Sequence, residues 1–298
     1  TPGKFIVVGE HFVVHGVPAI AAPVTGVGTN VTVSSAQHNE IHVPVTGDAA
    51  AVAMQVFAAA LQQEPELRTH VSVTVESSIP VGFGLGSSAA YSVGLAGALA
   101  KYAGHNLPID TLRGRAHELE TIIHGKPSGI DDTVISHGRP ILFVGGESRP
   151  ITIGDAFHFV LGSCDYPGAT KDAVAAVTSQ ATAQPEQFQR TITAAKRVTD
   201  QAVAALASGD PVALGREMNT AHSLLSSVLV STPELDSLVR AARNAGAFGA
   251  KLTGGGYGGF MVALTTRDGC SRVVDALERA GARYVLHTTV SATSKPGQ

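Results

Sequence analysis

The sequence predicts an α+β protein, and three observations carry that prediction. Valines alternate with polar residues at 27–33 and 71–75, the period-two pattern of half-buried strands. Alanine-rich stretches at 48–63 and 88–103 carry apolar residues at helical spacing. Past Pro150 a strand and several helices lead into strand, glycine loop, strand, helix and strand, an order that suits an antiparallel sheet covered by helices on one side. With 298 residues and ~150 per domain, two domains are expected, and the change of texture places them at 1–153 and 154–298.

The elements follow in order. Lys4 to Gly9 reads as a short buried strand, and 19–24 pairs back after the turn around Gly16 and Pro18. Strands at 27–33 and 71–75 flank a helix at 48–63 with Asp48 as its N-cap. Small residues fill a helix at 88–103, and a further helix at 110–123 ends before His124-Gly125. A strand at 157–163 precedes helices at 171–182, 185–208, 211–228 and 233–245. Two strands within 250–264 enclose a glycine loop, and a helix at 270–280 leads to a last strand at 283–290.

Composition excludes several classes of function. Lys and Arg total 21 against 24 Asp and Glu, a net charge of -3, so no basic face is built for nucleic acid. Apolar residues make up 44% and charged ones only 15%, which excludes a disordered chain. No apolar run approaches the ~18 residues of a membrane span. Two cysteines, Cys164 and Cys270, are too few for a disulfide framework, fit a reducing compartment and are expected as buried core thiols. Pro2-Gly3-Lys4 opens straight into a strand, without the look of a secretory leader. The expected location is cytoplasmic.

The 33 glycines are clustered. Pro80-Val81-Gly82-Phe83-Gly84-Leu85-Gly86-Ser87-Ser88 lies between a strand and a helix, where successive backbone N–H groups and the helix dipole make an anion cradle; a plain strand-to-helix turn is the alternative. It is neither a dinucleotide fingerprint nor a P-loop, since the spacing is Gly-x-Gly-x-Gly and no Gly-x-x-x-x-Gly-Lys-Ser/Thr occurs. Lys251-Leu252-Thr253-Gly254-Gly255-Gly256-Tyr257-Gly258-Gly259 reads either as a bulged hairpin or as a second cradle. In Glu120-Thr121-Ile122-Ile123-His124-Gly125-Lys126-Pro127-Ser128-Gly129-Ile130-Asp131, two carboxylates are separated by a bend, as metal-dependent group transfer requires. There the alternatives are a solvated helix residue at Glu120 and an N-cap at Asp131. The other histidines are expected to make no metal site; His117-Glu118 lacks a second His four residues on.

Taken together, these segments resemble the mevalonate kinase family, within the superfamily that includes galactokinase, homoserine kinase and phosphomevalonate kinase. Pro2-Gly3-Lys4 with Gly9-Glu10-His11-Phe12-Val13-Val14-His15-Gly16 resembles its opening, 82–90 its ATP loop, His124-Gly125-Lys126-Pro127-Ser128-Gly129-Ile130-Asp131 its catalytic segment and 251–256 its last motif. All occur in family order. The resemblance implies a ribosomal-protein-S5-like N-terminal domain and a ferredoxin-like C-terminal one. It implies ATP-dependent phosphorylation of the C5 hydroxyl of (R)-mevalonate, with Mg²⁺. Asp131 is then the catalytic base and Lys4 its cationic, ATP-side partner. Ser88 and Glu120 hold Mg²⁺, and Gly82, Phe83, Gly84, Leu85, Gly86, Ser87 and Ser88, with Ser77, contact the nucleotide. Glu10 and His11 lie on the mevalonate side. His11, Arg139 and Lys171 remain unranked as partners for the substrate carboxylate.

Departures stand beside these matches. Phe83 replaces a usual small residue and is expected to put a ring beside the phosphate path. Asp132 follows Asp131 where Asn is common, adding negative charge. Leu229 stands where Gly is frequent, and Gly138-Arg139-Pro140 replaces a Gly-Gly pair. A related kinase acting on another alcohol or on phosphomevalonate, and a catalytically inactive metabolite sensor on the same fold, are the rival readings. The resemblance leaves monomer and homodimer both open.

Overall fold

The computed structural model describes residues 1–293. The chain forms two compact units that interleave along the sequence: 1–4, 27–80 and 86–139 make one, and 5–26, 81–85 and 140–293 the other.

In the first unit, β4 (Val71–Ser77) is central. It runs antiparallel to residues 29–35 of β2 (Ala19–Ser35), with Val31 opposite Val75 and Val33 opposite Val73, and parallel to β3 (Glu40–His42). Val71, Val73 and Val75 face inward, as their alternation predicts, and meet Val56, Phe57, Tyr91, Leu95 and Leu99 in one core. Those residues come from α1 (Gly47–Gln62) and α2 (Ser87–Tyr102). The small residues of α2 let it lie close: a Cβ at Gly94 would fall 2.9 Å from Val31 Cγ2. Helices α3 (Ile109–His124) and α4 (Ile130–His137) complete the unit. Thr46, not Asp48, occupies the N-cap position of α1; Asp48 sits in its first turn, where its charge suits the helix dipole.

Strands at 19–24 and 27–33 are expected separately, yet the backbone keeps them as one β2. Gly26, at φ 89°, admits a local deviation without ending the strand. The chain passes from one unit to the other immediately after it.

The second unit contains an antiparallel sheet in the order β10-β7-β9-β8, from β7 (Phe157–Ser163), β8 (Gly249–Thr253), β9 (Phe260–Thr265) and β10 (Val285–Val290). Helices α5 (Thr170–Ala183), α6 (Pro185–Ser208), α7 (Pro211–Ser227), α8 (Pro233–Asn244) and α9 (Cys270–Arg279) fall where the periodicity puts them. Three carry Pro in the first turn, its favoured place. Their buried faces join the sheet in one core that includes Val160, Val177, Leu225, Leu238, Leu252 and Leu277. A hairpin of β5 (Ile141–Val144) and β6 (Glu147–Pro150) pairs with residues 19–21 of β2. Sequence periodicity misses this hairpin because its strands are only four residues long. Cys164 is buried, whereas Cys270, expected beside it in the core, is partly exposed at the start of α9. Among the described residues, no helix is long and apolar enough to cross a membrane.

Candidate functional site

Within the first unit, Lys4 Nζ lies 3.2 Å from Asp131 Oδ1. Lys4 is on β1 (Pro2–Val8), with only 4% of its side chain exposed, while Asp131 keeps 33%. A buried lysine beside a reachable carboxylate can stabilise negative charge developing on an oxygen as the carboxylate takes its proton. Asp131 does not cap α4. Gly129 holds that position at φ 81°, and Asp131 follows in the first helical turn. Asp132, the departure that adds a charge, turns into the interior, where His117 Nδ1 lies 2.8 Å from its carboxylate. Burial raises the Asp132 pKa, and His117 opposes that rise.

Glu120 is not a solvated helix residue. It is buried, and its two carboxylate oxygens accept from Ser88 Oγ at 3.1 Å and Ser92 Oγ at 2.9 Å. His124 Nε2 stands 3.0 Å from Ser88 Oγ. With Ser88 donating to Glu120, His124 donates to Ser88. Burial pushes the Glu120 carboxyl up to about 7; the serines oppose the rise, and Asp131 and Asp132 add to it. A hydroxyl and a carboxylate form a hard oxygen donor pair, and a buried carboxyl under that penalty is what a divalent cation relieves. The residues present therefore fit Mg²⁺.

Gly86 is the N-cap of α2 at φ 75°, and a Cβ there would lie 2.9 Å from Lys4 Cγ. Glycine is thus demanded both by the backbone and by the approach of the lysine. Ser87 and Ser88 open the helix, partly exposed, while Leu85 is fully buried. Phe83 departs from expectation. Its ring is buried edge-on against Tyr284, with centroids 5.3 Å apart, and against Phe260, so it packs inward instead of lining an open path. Gly82 and Gly84 flank it with positive φ. Ser77 ends β4 with its Oγ 2.9 Å from Thr29 Oγ1.

The second unit holds a different pair. Lys251 Nζ is hydrogen-bonded to Glu10 Oε1 and to the Leu252 carbonyl, and both side chains are buried. Burial lowers the Lys251 pKa and Glu10 opposes that shift. His11 adopts φ 59° and its Nε2 lies 2.9 Å from the Gly255 carbonyl, which makes that nitrogen the donor. Burial lowers its pKa, so His11 is a neutral hydrogen-bonding group rather than a cation. Arg139 and Lys171 are exposed.

The glycines of 254–259 are explained by packing. A Cβ at Gly256, φ 74°, would strike the Val230 carbonyl, and one at Gly258 would lie 2.7 Å from the Pro167 carbonyl. The loop is bonded through Tyr257 N to Val230 O, Gly259 N to Tyr166 O and Cys164 N to Gly259 O.

Ser92 has no place in the sequence reading, which sets His117 aside as a metal ligand and gives His124 no role beyond its membership of the catalytic segment. Spacing offers a signal for two of them: Ser88 with Ser92, and Glu120 with His124, are i,i+4 pairs and share helix faces. His117 with Asp132 has no such signature.

The chain matches the family model described as GHMP kinases N terminal domain over residues 49–138, and that described as GHMP kinases C terminal over 202–283. It is 34% identical to the mevalonate kinase of Pyrococcus abyssi, covering 88% of this chain and 87% of that protein. It is likewise 34% identical to that of Thermococcus sibiricus, covering 96% and 93%. The fold superposes on the crystal structure of L. major mevalonate kinase in complex with R-mevalonate with a TM-score of 0.88 at 29% identity, over 99% of this chain and 95% of that one. Methanococcus jannaschii mevalonate kinase shares the fold at a TM-score of 0.84 and 23% identity, over 98% and 97%. With identity above 30% across most of both chains, and with the Lys4–Asp131 and Ser88–Glu120 pairs each in contact, the chain belongs to the mevalonate kinase family of the GHMP kinases.

Proposed function

We infer that this protein transfers the γ-phosphoryl group of ATP to the C5 hydroxyl of (R)-mevalonate, giving 5-phosphomevalonate and ADP. The observation that carries the reading is the Lys4–Asp131 pair, with a buried ammonium against a carboxylate that solvent can reach. The oxygen of the primary alcohol forms the new O–P bond while the bond from phosphorus to the ADP oxygen breaks. The hydroxyl proton passes to Asp131, whose exposure lets it leave to water afterwards. Lys4 holds Asp131 in place and stabilises alkoxide charge before the new bond is complete.

Ser88 and Glu120 are the residues that would hold Mg²⁺, which, when bound, neutralises phosphate charge. The segment from Gly82 through Phe83, Gly84, Leu85 and Gly86 to Ser87 and Ser88 is assigned to the ATP phosphates by its backbone, and Ser77 to the nucleotide. Glu10 and His11 are assigned to the mevalonate side. Burial favours a supporting role for Glu10 through Lys251 and a neutral hydrogen-bonding role for His11. The division at 153/154 is retained as a proposal about modules; the two family models lie on either side of it. A cytoplasmic location and a homodimer are carried as proposals on family likeness alone.

The test is ADP release from Mg·ATP with (R)-mevalonate, followed by phosphorus NMR of the product. Phosphate on C5 supports the reading. Phosphate on C3 retains the kinase and overturns the placement of the alcohol. Turnover only with phosphomevalonate or another alcohol overturns the substrate.

A further inference from the structure

We propose that His158, Cys270 and His287 form a second cation site, built for a borderline-soft divalent metal of the zinc class and separate from the Mg²⁺ ligands. The three residues come from β7, the first position of α9 and β10. One potential ligand atom from each lies within 4.8 Å of the others.

The sheet register creates the cluster. His158 is directly opposite Thr289 and His287 opposite Val160, so the two histidines are diagonal neighbours on one face of the β7–β10 ladder. Their rings are stacked at 14° with centroids 5.9 Å apart, and Thr289 Oγ1, 3.1 Å from His158 Nδ1, steadies the first ring. Helix α9 brings the Cys270 thiol to the same place. Nothing in linear spacing announces this site, because its members lie on three elements far apart in the chain.

The company these histidines keep is distinctive. His117 faces Asp132, His124 faces Glu120, His105 faces Glu64 and His222 faces Asp236. His158 and His287 face each other and a thiol. Two imidazoles and a thiolate are poor ligands for Mg²⁺ and good ones for Zn²⁺ or Co²⁺, with a water completing a tetrahedron. Bonds of about 2.0–2.3 Å would put ligand atoms roughly 3.5 Å apart. The required closure of about 1 Å falls mainly to the exposed His287 and the partly exposed Cys270. Binding expels the thiol proton to solvent, so affinity falls as pH is lowered.

The experiment titrates the full chain with zinc chloride by calorimetry and with cobalt(II) by absorption. In parallel, the rate at which iodoacetamide alkylates Cys270 is followed by peptide mass spectrometry. One zinc per chain is expected, with a cobalt–thiolate charge-transfer band and slower alkylation of Cys270 when zinc is present. Cys270→Ser should remove the band, and both it and His287→Ala should weaken zinc binding by about tenfold or more. Both positions are solvent-accessible, so the metal-free variants should melt with the parent and exclude misfolding as the cause. Zinc binding that is unchanged in both variants places the metal elsewhere and overturns the proposal. So does the absence of saturable binding, or alkylation of Cys270 that zinc does not slow.

Discussion

Lys4 with Asp131 in one compact unit and Lys251 with Glu10 in the other are the same chemistry at different burial. In the first pair the carboxylate keeps a third of its surface, and the neighbouring glycine, Gly86, is needed so that a lysine can approach. In the second both partners are sealed, and the neighbouring glycines of 254–259 are needed so that backbone can pack on backbone. A charge pair open to water can exchange a proton with a ligand, whereas a sealed one has no solvent to exchange with. The difference teaches that two lysine–carboxylate pairs of like composition are told apart by solvent access, which is the property the proposed proton transfer needs.

The strongest way to break the comparison is to remove each carboxylate or lysine in turn. Asp131→Ala should lower kcat by about 10²–10⁴-fold, the range of a lost general base, with ATP affinity and melting temperature little changed. Single-turnover phosphorylation that survives within about tenfold would remove Asp131 from the proton-transfer step. Lys251→Met should act on the other axis. It leaves the Glu10 carboxylate buried without its ammonium, and denaturant unfolding should show a loss of about 3–5 kcal/mol. Adding Glu10→Leu should recover much of that loss, because an apolar pair removes the uncompensated charge. If Lys251→Met instead left stability intact and abolished turnover, the second pair would belong to the chemistry.

One side of this contrast is legible in the sequence. Lys4, Asp131, Ser88 and Glu120 are singled out by the resemblance of their segments to the family, and the helices from 185 to 245 follow from periodicity and from prolines at their starts. The pairing of Glu10 with Lys251 is not, since it joins residues far apart in the chain that carry no shared spacing. Nor is the inward turn of Phe83, which depends on Phe260 at the start of β9 and Tyr284 just before β10. Short strands such as β5 and β6 escape because four residues cannot display a period. Sequence reading recovers local pattern and motif; it loses what tertiary neighbours decide.

A smaller effect sharpens the open side of the comparison. The Glu120 carboxyl sits at about 7 in the folded chain against 4.5 when unfolded. Between those values the folded state binds more protons, so the stability this carboxyl contributes is present below 4.5 and is lost as pH rises through about 7. A cation binding there displaces the proton. Apparent Mg²⁺ affinity in the presence of ATP should therefore climb as pH rises through about 7 and then level off. Glu120→Gln should weaken that affinity and flatten its slope. An unchanged slope in the variant would assign the titration to another group.

The smallest effect concerns the segment on which the sealed side rests. Leu229 adopts φ 62° just after α7, in the left-handed conformation that glycine usually supplies at a helix C-terminus. The next residue, Val230, accepts from Tyr257 N at 2.9 Å and so supports the 254–259 loop. A side chain in that region costs about 1–2 kcal/mol, while glycine loses about 0.5–1 kcal/mol more backbone freedom on folding. Leu229 is 59% exposed, so little burial is forfeited on its removal. Leu229→Gly should therefore raise stability by no more than about 1 kcal/mol and leave kcat unchanged, as denaturant unfolding and steady-state assay would show. The two readouts separate the possible uses of the strain. A gain in stability with unaltered turnover marks it as a tolerated cost in a packing element. A gain in stability accompanied by loss of turnover would mean that the strained turn serves the reaction, and the second glycine loop would then have to be counted with the first.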